Sequence, residues 1–142
     1  GYRPFAVEKI SDNNVLSWLE SHLYLKLTQP RPPDYQVFNG EETYPEIDLL
    51  KYAKLSDRTW ESIQDMDLLK LTECVNQTRR IQQELIPGYV SDLVSLELDS
   101  YQSKGMGCKL MGAGGFGYIM IVAENQPEGS EKIVIRRQSL TL

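Results

Sequence analysis

The chain has 142 residues, 41% of them hydrophobic and 25% charged, and its 15 basic against 20 acidic side chains leave a formal charge of −5. That size and balance predict one globular domain over residues 1–142. The acidic excess argues against a surface for nucleic acid or anionic lipid, since both need clustered positive charge. A small anionic ligand stays open. Cys74 and Cys108, with His22 as the single histidine, give neither a zinc-ligand spacing nor a disulfide framework. No apolar run approaches the ~20 residues of a membrane span, and the start carries no charged-then-apolar signal pattern. The expectation is a cytoplasmic protein in a reducing setting, without membrane as a partner.

In chain order, Phe5, Val7 and Ile10 suggest a short strand, and Ser11-Asp12-Asn13-Asn14 supplies oxygens that cap a helix or close a turn ahead of Leu16-Ser17-Trp18-Leu19-Glu20. Leu23, Leu25 and Leu27 alternate with Tyr24 and Lys26, which predicts a strand with one buried face. Gln29-Pro30-Arg31-Pro32-Pro33-Asp34 ends it, because prolines remove ladder donors and fix φ. Tyr35-Gln36-Val37-Phe38 reads as a short edge strand before a turn at Asn39-Gly40. From Pro45 a long helical pattern begins, with Leu50, Ala53, Trp60 and Ile63 near one face. A second helix follows from the spacing of Leu68, Leu71, Val75, Thr78 and Leu85, and Pro87-Gly88 stops it. A third starts near Ser91 or Asp92, buries Leu93, Val94, Leu98 and Tyr101, and ends at Lys104-Gly105.

Strands are predicted over about 107–111 and 118–123, followed by a turn over 125–130 and a last strand from Lys132 to Arg137, paired as a hairpin with the strand before it. Strands, three helices and strands again predict an α+β sandwich, a mainly antiparallel sheet with about three helices on one face.

The most informative stretch joins two of those strands. Gly112-Ala113-Gly114-Gly115-Phe116-Gly117 places four glycines in six positions, a composition that permits positive φ and close approach of a ligand or of another backbone. Gly112-x-Gly114-x-x-Gly117 satisfies the dinucleotide-binding pattern, but that pattern opens a helix, and here Tyr118-Ile119-Met120-Ile121-Val122 is strand-like. No Gly-Lys-Ser/Thr follows, so a Walker A loop is excluded. The nucleotide loop of protein kinases is a closer competitor, with Ile133-Val134-Ile135-Arg136 where a Val-Ala-Ile-Lys strand would lie. Against it, Arg136 replaces the lysine, and no HRD or DFG motif follows.

Gly107-Cys108-Lys109-Leu110-Met111-Gly112-Ala113-Gly114-Gly115 resembles the third, C-terminal motif of the GHMP kinases, the galactokinase, homoserine, mevalonate and phosphomevalonate kinase superfamily. Upstream, Val7-Glu8-Lys9-Ile10 and Leu19-Glu20-Ser21-His22-Leu23-Tyr24-Leu25-Lys26-Leu27-Thr28 look like the first strand and the following segment of heptose-phosphate and fucose kinases. Thr59-Trp60-Glu61 and Leu85-Ile86-Pro87-Gly88 fall in the same order as in those relatives. Two departures stand out: Phe116 occupies a position where most relatives carry a small residue, and Gln29-Pro30-Arg31-Pro32-Pro33 replaces a glycine and basic residues.

The resemblance implies a ferredoxin-like α+β domain and a part in phosphoryl transfer from ATP, with Mg, to a sugar or related hydroxyl. It places the main phosphate loop and the catalytic acid in an N-terminal domain, a partner in the same or a separate polypeptide, so this chain alone is expected to be inactive. The residues nearest substrate and phosphate are then Gly112, Ala113, Gly114, Gly115, Phe116 and Gly117, with Lys109 as an accessory charge. Two bland readings stand beside this one, glycines that serve only close packing and a solvated Lys109. His22, Trp18 and Trp60 read as core residues, Arg79-Arg80 and Arg136-Arg137 as solvated pairs, and Asp65, Asp67 and Glu41-Glu42 as helix-end and turn charges. The alternative function is a noncatalytic binding or regulatory module of the same fold. An apolar patch left open beside an absent domain favours self-association, so a homo-oligomer is also expected as an option.

Overall fold

A computed structural model describes residues 6–37, 43–112 and 114–137. The elements in order are α1 (Asn13–His22), β1 (Leu23–Leu27), α2 (Glu46–Gln64), α3 (Leu68–Leu85), α4 (Asp92–Ser103), β2 (Gly107–Leu110), β3 (Tyr118–Val122) and β4 (Glu131–Lys132). The protein is α+β. Helix starts follow capping chemistry. Asp12 accepts from Asn14 N at 2.8 Å, Asp67 from Lys70 N at 3.0 Å and Ser91 from Val94 N at 3.4 Å. Pro45 is the residue just before α2 rather than its first helical position.

The sheet is antiparallel throughout, in the order β2-β3-β1-β4. Taken from its other edge this is β4-β1-β3-β2, the split arrangement of a ferredoxin-like sheet. β1 and β2 run parallel with β3 between them and are joined by the α2–α4 crossover. Register assigns the faces, because alternate residues of a strand point to opposite sides. Tyr24 and Cys108 both pair with Ile121, and Leu110 with Ile119, so these five share one face, where Val94, Leu98 and Tyr101 of α4 complete a core cluster. Leu23 and Gly107 pair with Val122 on the other face, which packs against Trp18 and Leu19 of α1, Ile63 of α2 and Leu71 and Val75 of α3. Of the three helices expected on one face, α2 and α3 share it, joined there by α1, whereas α4 covers the opposite face, because its apolar stripe packs against Tyr24, Cys108, Leu110, Ile119 and Ile121.

Several local expectations are corrected. Residues 6–10 form no strand and Val7 is 79% exposed, because both neighbours of β1 in the sheet are already β3 and β4. Phe5 lies outside the described residues, as do Phe38, Asn39-Gly40 and Glu41-Glu42, and residues 35–37 form no strand. β1 buries Tyr24 and leaves Leu27 exposed, since the helices cover only the Leu23 end of the leucine face. On α2, Leu50 and Ala53 are exposed and Leu55 and Ser62 are buried. On α4, Leu93 is 65% exposed, because Val94, Leu98 and Tyr101 at i, i+4 and i+7 already fill the inward stripe.

The final strand is shorter than predicted and pairs with β1 rather than in a hairpin with β3. Beyond it, Ile133 N reaches Leu23 O at 3.4 Å, and Glu20 of α1 then takes over as acceptor for Ile135 N and the Arg137 guanidinium. Those bonds hold the Glu20 carboxyl below its ordinary pKa, Arg137 first and the Ile135 N–H second.

Candidate functional site

The glycine-rich stretch is the turn of the β2–β3 hairpin, and Met111 N donates to Tyr118 O at its base. Ala113 lies outside the described residues. The four loop glycines have positive φ, between 73° at Gly112 and 111° at Gly117, a region closed to most side chains. They divide by surroundings. A Cβ on Gly114 would stand 2.5 Å from the Tyr89 ring and one on Gly115 would stand 2.3 Å from the Tyr35 ring, whereas a Cβ on Gly112 or Gly117 would meet nothing within 4 Å. The inner pair is therefore used for packing, and the outer pair leaves open space.

Two chain segments hold this turn from behind. The stretch after α3 supplies Tyr89, whose carbonyl accepts from Gly115 N and whose hydroxyl donates to Gly112 O at 3.2 Å, with Leu110 O a further 3.4 Å acceptor. Burial pushes the Tyr89 hydroxyl above its ordinary pKa, so it stays a donor. The proline-rich stretch after β1 supplies the rest. Thr28 donates to Gly117 O through both its N–H (2.8 Å) and its hydroxyl (2.7 Å), Gln29 O accepts from Gly117 N, and the Arg31 guanidinium donates to Gly114 O. Tyr35 donates to Gly88 O at 2.6 Å and meets the Phe116 ring edge-on at 5.0 Å. Phe116, the bulky residue among the glycines, thus packs sideways on Tyr35.

Lys109 behaves differently from either expectation. Its side chain is partly buried and its ammonium donates to Leu110 O at 2.9 Å, so it is not freely solvated; burial lowers its pKa. His22 is also partly buried, with Nδ1 2.7 Å from Trp18 O and its ring against Trp18. Arg79 is buried, not solvated, and reaches Asp99, Gln102 and Gln83. Among the described residues no group of three or more His, Cys, Asp or Glu is placed to hold a metal, and no helix is long and apolar enough to cross a membrane.

The residues packed on the turn that sequence reasoning passed over are Arg31, Tyr35 and Tyr89. Their signal was weak because they lie far along the chain from the loop: Arg31 is 83 positions from Gly114. No protein-family model, curated protein or solved structure matches this chain.

Proposed function

We propose that this chain is the C-terminal part of an ATP-dependent kinase for a small hydroxyl-bearing molecule, a sugar or sugar phosphate, of the GHMP type. In this reading an N-terminal domain, in the same or a separate cytoplasmic polypeptide, carries the phosphate loop and the catalytic acid and makes most contacts with ATP and Mg. The chain contributes one wall of the site. The observation that carries the reading is the turn itself, a hairpin whose outer glycines leave open space while its inner glycines are packed on Tyr89 and Tyr35. Phosphoryl transfer depends mainly on positioning and charge stabilisation, and a turn fixed before substrate arrives suits that role. The β4-β1-β3-β2 order adds support, since a ferredoxin-like sheet is what the resemblance implies.

A noncatalytic module of the same fold is the second reading, favoured by the complete use of Gly114 and Gly115 in packing. One experiment separates the two. The upstream sequence or a neighbouring polypeptide is searched for a Gly-Leu-Gly-Ser-Ser-Ala-like loop, and that domain is combined with this chain and assayed for ATP-dependent phosphorylation of a sugar panel. Transfer is expected only in the combination. Equal activity without this chain, or no such domain at all, overturns the kinase reading in favour of the module.

A further inference from the structure

We infer that the cleft between α2 and α3 binds a small neutral alcohol or phenol, an apolar body carrying one hydroxyl group. None of its lining residues belongs to the glycine turn, and the inference does not rest on the kinase reading. Leu49 and Tyr52 of α2 stand three residues apart, as do Gln82 and Leu85 of α3, so each pair falls on one helix face. With Tyr44 and Ile86 these four line a cleft of about 250 Å³. That volume exceeds the ~150 Å³ of a cavity that takes benzene and stays below the ~300 Å³ at which drug-sized pockets begin, so it suits a single substituted ring. No charged side chain is among those that line it. A phosphate, carboxylate or ammonium would lose its water there without a counter-charge, which argues for a neutral ligand.

The polar groups of the cleft set the ligand's chemistry. Gln82 Nε2 donates to the Tyr52 hydroxyl at 3.2 Å. Gln82 Oε1 is out of reach of water and has no hydrogen-bond partner among the described residues. Burying an acceptor without a partner is costly, and each such case in a native interior calls for an explanation. Tyr52, having accepted from Gln82, still has its own proton to give, and no acceptor for it lies among the described residues. A ligand hydroxyl answers both groups, because it donates through its proton and accepts through its lone pairs. The terminal torsion of a glutamine is broad, so the carboxamide can turn its oxygen towards the cleft while the rest of the side chain stays in place. Leu49 is 49% exposed, so the apolar wall reaches the surface and a ligand enters without the helices parting.

The test is a titration of the ¹⁵N-labelled chain with 4-ethylphenol and with its methyl ether, 4-ethylanisole, reading the Gln82 side-chain amide and the Leu85 and Ile86 backbone amides. 4-Ethylphenol is expected to shift all three signals and to bind about fivefold more tightly than the ether, the difference that one hydrogen bond makes. Gln82→Leu, of similar volume, should abolish that preference while still binding the ring, and Tyr52→Phe should reduce it. Inorganic phosphate should move none of these signals. Signals that stay in place up to the solubility limit of 4-ethylphenol overturn the inference. Equal affinity for phenol and ether in the wild type does the same, as does a preference that a folded Gln82→Leu or Tyr52→Phe chain keeps in full. Shifts of the same amides on concentrating the chain without ligand also overturn it, because a second copy then fills the cleft.

Discussion

Within the turn, neighbouring glycines are not equivalent. Gly112→Ala places a methyl group in open space and costs only the left-handed penalty, about 1 kcal/mol. Gly114→Ala carries the same penalty and also drives a Cβ into the buried Tyr89 ring, so about 3 kcal/mol is expected once overpacking is added. Urea unfolding of both variants checks the ranking, and equal losses would mean that Tyr89 yields. Cys108 offers a second prediction. It is fully buried, and burial pushes its thiol up to about 11 against a partial lowering by Arg79. The unfolded thiol ionises near pH 8.5, so above that value the unfolded chain sheds a proton that the folded chain keeps. Stability should therefore fall from about pH 9 to about pH 11. Lys109 works in the opposite sense, because its lowered pKa lets the folded chain shed its proton first, and stability gains as pH rises towards the unfolded lysine value. Cys108→Ala should make the alkaline fall shallower than in wild type, measured as the slope of unfolding free energy against pH. Both native thiols should resist a disulfide reagent until the chain unfolds.

At the scale of elements, α3 does more than cover one sheet face. β2 is an edge strand, and Asn76 of α3 treats it as a ladder partner: its Nδ2 donates to Met106 O at 3.2 Å and its Oδ1 accepts from Cys108 N at 3.0 Å. A bare edge invites pairing with other chains, and this helix closes it. Asn76→Ala leaves two partly buried backbone groups unpaired and should cost about 2 kcal/mol, with faster hydrogen exchange at the Cys108 amide. A loss confined to exposed amides would argue against the edge role. Elements were legible where local chemistry decides them. Asp12, Asp67 and Ser91 announce helix starts, Pro87-Gly88 a stop, alternation gives β1, and a short continuous apolar run gives β3. Leu93 was misassigned because α4 carries more apolar residues than its inward stripe needs, and periodicity cannot choose between adjacent leucines. The pairing of β4 with β1 was invisible, since two residues hold no register signal against a third strand.

For the whole molecule, β3 is the shared wall of two cores, with Ile119 and Ile121 facing one and Met120 and Val122 the other. Leu98→Ala on the first side should cost about 3 kcal/mol and Val75→Ala on the second somewhat less, both lowering a single unfolding midpoint. Two separate transitions, seen by fluorescence and circular dichroism, would show that the halves do not share that wall. The candidate site was legible only in part for the same long-range reason: its glycines stand together in the sequence, but Arg31, Tyr35 and Tyr89 reach them from the segments that follow β1 and α3. Thr28 and Gly117 are 89 positions apart. At ribosomal rates of ~5–20 residues per second, β1 and the proline-rich clasp wait about 4 to 18 s after synthesis before their partner strand exists. The leucines of β1, uncovered until that strand arrives, are thus a hazard of translation more than of the finished fold, and a chaperone that binds nascent apolar strands would act on this segment first.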